Sequence, residues 1–413
     1  MSAEEYVADF DEALGIVLQK AAGLSASAAE VKLLLECGGR VLAEAVVADR
    51  DQPPFNRSAR DGFAVRASEA LSGADLTVAG LVRAGERWTG GVLGLGCAVE
   101  IMTGAPVPEG ADAVVMVEHV ERVGDTIHLV AGRAVKAGEN VAPRGSEARA
   151  GDAVLAAGTV MEGAEIALAA ACGRAELRVF RRPRVGIVAT GDELVEIEAT
   201  PGPEQIRNSN GYGLAALVAN AGGEAVRLPI APDRREELEA IILSAARSCD
   251  LMLLSGGVSM GKYDLVEEVL VALGAEFFFT GVRMKPGKPV VFGRLRGEDF
   301  SPRFFFGLPG NPVSTQVTFH CFVEPMLRAI SGAGVEGPRF VQATLGEDMA
   351  GKAGLMRVLP ARLTADRARP EVRLVVWQGS GDMAANARAN CYAVLPPERE
   401  RFRAGDVITV LLR

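Results

Sequence analysis

The sequence predicts a multidomain α/β protein, and three changes in the spacing of its apolar residues carry that prediction. From residue 184 short apolar runs alternate with helical stretches, as in a parallel sheet covered by helices on both faces. Residues 51–142 instead hold short β-like runs between Gly and Pro turns, and the tail from about 337 to 413 is short-stranded again. A chain of 413 residues is too long for one ordinary core, so roughly two to four domains are expected.

In chain order, residues 5–48 read as helices, with apolar positions at helical spacing over 10–18 and 28–42. Residues 143–180 return to a helical or mixed pattern, so the β-module reads as an insertion. The expected units are 1–50 with 143–180, an inserted β-domain at 51–142, an α/β domain at 181–332 and a C-terminal β-domain at 333–413. Within the α/β unit, 185–189 is a buried strand and 210–220 a helix stopped by Gly222-Gly223. A strand at 225–230 follows. Asp233-Arg-Arg-Glu236 has the spacing of a capping box and starts a helix running to about 248. Residues 251–254 form the next strand, and a helix over 266–273 ends at Gly274. Ligands of such sheets bind beyond the carboxyl ends of the strands, where Thr190-Gly-Asp-Glu193 and residues 255–264 fall.

Composition narrows the function. The net charge of −9 excludes a broad phosphate-tracking face, so no nucleic-acid partner is expected and any anion is bound locally. The six cysteines are scattered without a Cys-x-x-Cys pair, and His119, His128 and His320 have no metal-ligand spacing, which argues against zinc sites and disulfides. No apolar run reaches the roughly 20 residues of a membrane span, and the N-terminus lacks a signal pattern. The expected location is the cytoplasm.

The richest stretch is Ser255-Gly-Gly-Val-Ser-Met-Gly-Lys-Tyr-Asp264 with Met284-Lys-Pro-Gly-Lys-Pro289 and Gly307-Leu-Pro-Gly-Asn-Pro312. Glycines let backbone N–H groups approach an oxyanion, lysines add charge, and Asp264 can hold a hard cation against phosphate oxygens. Three of the chain's seven lysines, Lys262, Lys285 and Lys288, fall here. The implied ligand is phosphorylated. Gly256-x-x-x-x-Gly261-Lys262 approximates a P-loop, but Tyr263 stands where that loop needs a metal-ligating hydroxyl, which disfavours nucleotide hydrolysis. A Gly-x-Gly-x-x-Gly after a strand is absent, which disfavours a nicotinamide enzyme.

Taken with Ser58-Ala-Arg-Asp-Gly-Phe-Ala-Val65, Ile101-Met-Thr-Gly-Ala-Pro-Val-Pro108, Ala189-Thr-Gly-Asp-Glu-Leu194 and Gly307-Leu-Pro-Gly-Asn-Pro-Val-Ser314, these motifs resemble the molybdopterin molybdenumtransferases, the MoeA family shared with the C-terminal domain of gephyrin. The resemblance covers essentially the whole chain. It implies a central molybdopterin-binding-like α/β domain with an inserted β-domain, a helical or mixed N-terminal region and a C-terminal β-barrel. It also implies a homodimer that consumes adenylylated molybdopterin and molybdate with Mg²⁺ and yields molybdenum cofactor plus AMP. Transient contacts with the molybdopterin adenylyltransferase and with acceptor molybdoenzymes follow from that role.

Carried onto this sequence, the resemblance makes Glu193 and Asp264 the Mg²⁺ carboxylates and Lys285 and Lys288 the ligands of phosphate or molybdate oxygens. Gly256, Gly257 and Ser259 cradle phosphate, Ser314 adds a helix start, and Arg357 is a further candidate for molybdate. Pro309, Asn311 and Pro312 shape the substrate loop. Asp61 and Thr103 act from the other subunit, although both also suit turns. Asp233 matches a site position, yet its capping spacing explains it equally well. The sequence departs from the family at Gly379-Ser-Gly-Asp-Met-Ala-Ala385, where a serine is missing at 385 and the role of Ser380 stays open. A scaffolding role like that of gephyrin and a preference for tungstate over molybdate also stay open.

Overall fold

The computed structural model describes residues 6–71, 73–257, 265–364, 367 and 369–413. Its central sheet has six strands in the order Glu224–Arg227, Arg184–Ala189, Leu251–Ser255, Arg303–Leu308, Val291–Leu295 and Glu276–Phe279. The first three pairings are parallel and the last two antiparallel, so the sheet is mixed instead of wholly parallel. The connection from Leu295 to Arg303 is too short for the crossover a parallel pair requires. Both faces are covered. Leu251 and Leu253 pack with helices Phe10–Ala22, Ser209–Asn220 and Glu324–Ile330, while Met252 and Leu254 pack with helices Arg235–Ser248 and Leu265–Ala272. Strict alternation across a doubly covered sheet explains why these strands read as unbroken apolar runs.

Two expectations for local structure are corrected. The helical pattern over 28–42 gives a strand, Ala29–Leu33, and a 3₁₀ turn, Leu34–Cys37. The strand forms because Glu176–Phe180 pairs with it in antiparallel register, a tertiary partner that overrides a short periodic signal. The capping box at Asp233 does not form: the helix begins at Arg235 with no side-chain cap, and the Asp233 N–H donates to Asp192 Oδ1 at 3.1 Å.

The N-terminal helix belongs to the core of the α/β layer, whereas residues 37–48 share a separate core with Met161, Ala169, Cys172, Leu177 and Val179. Between these halves the chain builds a six-stranded sheet in the order Ala113–Met116, Gly62–Val65, Cys97–Ile101, Asp75–Val82, Thr126–Leu129 and Val120–Val123. At the C-terminus, Met356–Leu363, Glu371–Leu374, Phe340–Leu345, Val407–Leu412 and Cys391–Leu395 form a sheet whose last strand pairs back onto its first. This closed five-stranded barrel leaves no open edge. One short strand from the α/β unit, Met284–Lys285, adds in parallel to Met356–Arg357, and that pairing positions the site.

Candidate functional site

Two pockets lie side by side where the barrel meets the carboxyl ends of the central strands, and Asn311 lines both. The first encloses about 570 Å³ and is walled by Thr190, Glu193, Gln205, Asn208, Asn210, Ser255, Gly256 and Pro312. The second encloses about 520 Å³ and is walled by Lys285, Lys288, Ser314, Arg357, Trp377 and Ser380.

The first pocket is built by turns that leave the strands. Gly256 and Gly257 follow the strand Leu251–Ser255 with φ of 91° and 59°, a region that side chains disfavour. A Cβ on Gly256 would lie 2.6 Å from the Thr190 carbonyl oxygen, so the turn can sit against the neighbouring strand end only as glycine. Asn210 Nδ2 donates to Ser255 Oγ at 3.0 Å and to the Gly310 carbonyl at 2.7 Å, tying two loops to the start of the helix Ser209–Asn220. Asn208 caps that helix, its Oδ1 accepting the Gly211 N–H at 2.9 Å. The polar part of the walls therefore presents amides, hydroxyls and the Arg207 side chain around a single carboxylate, Glu193, among the described residues.

The second pocket is cationic. Lys285 stands in register with Arg357 through the strand pairing that joins the α/β unit to the barrel. Lys288 follows the Gly287 turn, where φ is 108° and a Cβ would lie 2.6 Å from Thr318 Cγ2. Arg357 is steadied by donating to the Ala350 carbonyl at 2.7 Å. Among the described residues this wall carries Lys285, Lys288 and Arg357 and no carboxylate. Ser314 is buried in the first turn of the helix Pro312–Thr318, and the Val313 N–H donates to the Ser380 carbonyl at 3.0 Å, pinning the barrel loop beside the lysines. Ser380 thus lies on the pocket wall, whereas Ala385 is packed in the interior with its N–H donated to Asp382 Oδ1.

The structure gathers Glu193, Gly256, Asn311 and Pro312 at the first pocket and Lys285, Lys288, Asn311, Ser314 and Arg357 at the second. Gly257 supports the turn without facing either space, and Pro309 accepts the Thr315 hydroxyl through its carbonyl. Ser259 and Asp264 lie outside the described residues. Asp61 and Thr103 belong to the six-stranded β-unit and line neither pocket. They do form a tight local unit: the Thr103 N–H and hydroxyl both donate to Asp61 Oδ1, at 2.6 and 2.8 Å, and these bonds hold the carboxyl below the usual carboxylate range. Asp233 is exposed and lines neither pocket.

Sequence reasoning placed the Thr190–Glu193 turn at the ligand end of the strands but missed Asn208, Asn210 and Trp377 as site residues. The helix was legible from about 210, but that Asn210 bridges two glycine loops depends on a contact with Gly310, 100 positions away. Among the described residues no three His, Cys, Asp or Glu side chains converge as a metal cage. Glu193 on the wall of this cavity nevertheless fits Mg²⁺, which binds through one or two carboxylates with substrate oxygens and water.

Residues 8–173 match the family described as MoeA N-terminal region (domain I and II), 186–329 the probable molybdopterin binding domain, and 342–412 the MoeA C-terminal region (domain IV). The chain belongs to the MoeA family. Among MoeA-family relatives, a molybdopterin molybdenumtransferase of Haemophilus influenzae is 34% identical over 385 residues, covering 91% of this chain and 92% of its own. One from Staphylococcus epidermidis is also 34% identical and covers 91% of this chain and 88% of its own. The crystal structure of the molybdopterin biosynthesis MoeA protein from Pyrococcus horikoshii aligns with a TM-score of 0.77 at 29% identity, covering 98% of this chain and 100% of that one. A second structure of a MoeA protein from the same organism gives 0.71 at 31% identity, covering 98% and 99%. In MoeA terms, the lysines come from the probable molybdopterin binding domain and Arg357 and Ser380 from the C-terminal region. Among the described residues no helix is long and apolar enough to cross a membrane.

Proposed function

We infer that this protein is a transferase of molybdenum cofactor biosynthesis, a molybdopterin molybdenumtransferase like its relatives. We propose in addition that it inserts molybdate into adenylylated molybdopterin and releases AMP. The observation that carries this reading is the cation pocket free of carboxylates set beside an amide-lined cavity, with Asn311 common to both.

Cleaving a phosphoric anhydride is largely a matter of positioning and charge neutralisation, so a site needs fixed donors more than a nucleophile. Lys285, Lys288 and Arg357 supply three positive charges where an oxyanion would otherwise be repelled by the chain's net charge of −9. Asn210 and Ser255 hold the glycine loops that frame the neighbouring cavity. Glu193 is the described side chain fitted to hold Mg²⁺, which when bound neutralises phosphate oxygens. Asp61 and Thr103 reach the site only from a second subunit in this reading. The exposure of Val31, Leu33 and Leu35 at 60%, 55% and 90% on one segment supports such a homodimer, since a surface of this kind favours burial. Six free cysteines suit a reducing compartment and support a cytoplasmic location.

The test is AMP release from adenylylated molybdopterin by purified protein, with and without molybdate and Mg²⁺, coupled to reconstitution of a cofactor-free molybdoenzyme. Release that depends on the oxyanion and reconstitutes the acceptor is the expected result. No release under any of these conditions would remove the catalytic reading.

A further inference from the structure

We propose that Gln316 is a positioning residue of the cation pocket, its side-chain oxygen tying the helix Met383–Arg388 of the C-terminal unit to the helix Pro312–Thr318 so that the two walls of the pocket keep one spacing. Gln316 and its partners Asn386 and Arg413 line neither pocket and act through the residues that do. This rests on the reading of the cation pocket as the seat of molybdate.

The walls of this pocket come from two units of the chain. Lys285, Lys288 and Ser314 belong to the α/β unit, Arg357 and Ser380 to the C-terminal one. An oxyanion held from both sides feels their separation, and a displacement of about 1 Å can cost a hundredfold. On the C-terminal side the loop 377–380 is fixed to the helix behind it by Asp382, whose two oxygens accept the Gln378 N–H at 3.1 Å and the Ala385 N–H at 2.9 Å. The loop therefore moves with the helix Met383–Arg388. Two bonds fix that helix and its loop against the α/β unit. The Val313 N–H donates to the Ser380 carbonyl at 3.0 Å, and Asn386 Nδ2 donates to Gln316 Oε1 at 2.8 Å. Residues 313 and 316 are neighbours on one helix face, about 4.5 Å apart along the axis, so the second bond stops a pivot that the first alone would permit. Asn386 is 2% exposed, and an amide so buried loses heavily when its partner is removed. Arg413 completes the junction: Nη1 donates to the Asn386 and Ala389 carbonyls at 2.8 and 2.9 Å, the open carbonyl end of the helix, and Nη2 donates to Gln316 Oε1 at 3.5 Å. Position 316 thus needs an acceptor that two donors of the other unit share.

The test separates positioning from mere stabilisation by reading the folded protein well below its melting temperature. Gln316→Met keeps the length of the side chain and removes the acceptor. Its molybdate affinity, measured by calorimetry, falls about tenfold or more, and KM for molybdate rises in step while kcat at saturating molybdate stays within about threefold of wild type. Gln316→Glu restores an acceptor to both donors and holds molybdate affinity within about threefold of wild type. The exposed Arg413→Met removes one of the two donors without opening the core and lowers molybdate affinity about threefold, which keeps the test intact if Gln316→Met does not fold. Wild-type molybdate affinity in folded Gln316→Met, equal losses in Gln316→Met and Gln316→Glu, or, where Gln316→Met does not fold, wild-type affinity in Arg413→Met overturns the assignment, whatever happens to the melting temperature. If the wild-type protein binds no molybdate, the reading of the pocket fails first and takes the Gln316 role with it.

Discussion

The two ends of the same central strands are chemical opposites. At their amino ends, Asp250 accepts from both terminal nitrogens of Arg181 at 2.8 Å and from the Arg184 N–H at 2.8 Å. Burial alone would raise that carboxyl, and the Arg181 and Arg184 bonds outweigh it, holding the group below the ordinary carboxylate range. At their carboxyl ends the same strands run into Thr190, whose hydroxyl is unpartnered, and into a turn of two glycines. One end has its donors and acceptors matched within the protein; the other opens onto a cavity. Stability and function are thus separated along a strand only five or six residues long.

That contrast is sharpened most by the lysines beside the open end. Lys285→Ala and Lys288→Ala should each lower turnover about a hundredfold to a thousandfold, the range for losing one donor to a developing oxyanion. Thermal unfolding should move little, because both side chains face a pocket instead of the core. Equal loss of folding and turnover would erase the distinction between the ends.

The matched end should answer in the reverse sense. Asp250→Ala leaves Arg181 without its carboxylate and should cost about 2 kcal/mol in urea unfolding, with kcat/KM of the remaining folded enzyme close to wild type. Asn210→Ala tests the boundary between the two behaviours, since Asn210 both ties loops together and faces the cavity. It should lower turnover about tenfold and stability by about 1 kcal/mol, read from steady-state rates and unfolding midpoints on one preparation.

The smallest effect concerns acid. Because the folded Asp250 carboxyl titrates below its unfolded value, the unfolded chain binds more protons at low pH. Its contribution is complete above the usual carboxylate range and is lost as pH falls through the lower folded value. Unfolding midpoints measured from about pH 5 downward should therefore fall less steeply for Asp250→Asn than for wild type. Parallel curves would show that the Arg181 pair does not set the acid limit.

Much of this was legible in the residues because short-range chemistry decides it. Residues 251–254 read as a strand and form one, and the glycines after it, read as a close backbone approach, form a turn with positive φ at Gly256 and Gly257. Lys285 and Lys288, two of seven lysines, announce an anion by their rarity. The same local logic misled at 28–42, where helical spacing was present but a partner strand 143 to 151 positions away took the backbone, as the register of Ala29 with Phe180 and of Leu33 with Glu176 shows. It misled again at Asp233, where capping spacing occurs without the cap.

Motif chemistry determined the family, the kind of ligand and the residue types of the site, because glycine turns and clustered cations have few other uses. Tertiary structure alone decided how those residues combine. The pairing of Met284–Lys285 with Met356–Arg357 brings Lys285 beside Arg357 across 72 positions of chain, and no local pattern encodes a strand added to a barrel. Packing likewise decided that Thr190 is left without an acceptor while Ser255 is satisfied. Hydrogen-bond satisfaction is a property of everything that surrounds an atom, and the neighbours of Thr190 come from three separate strands and turns.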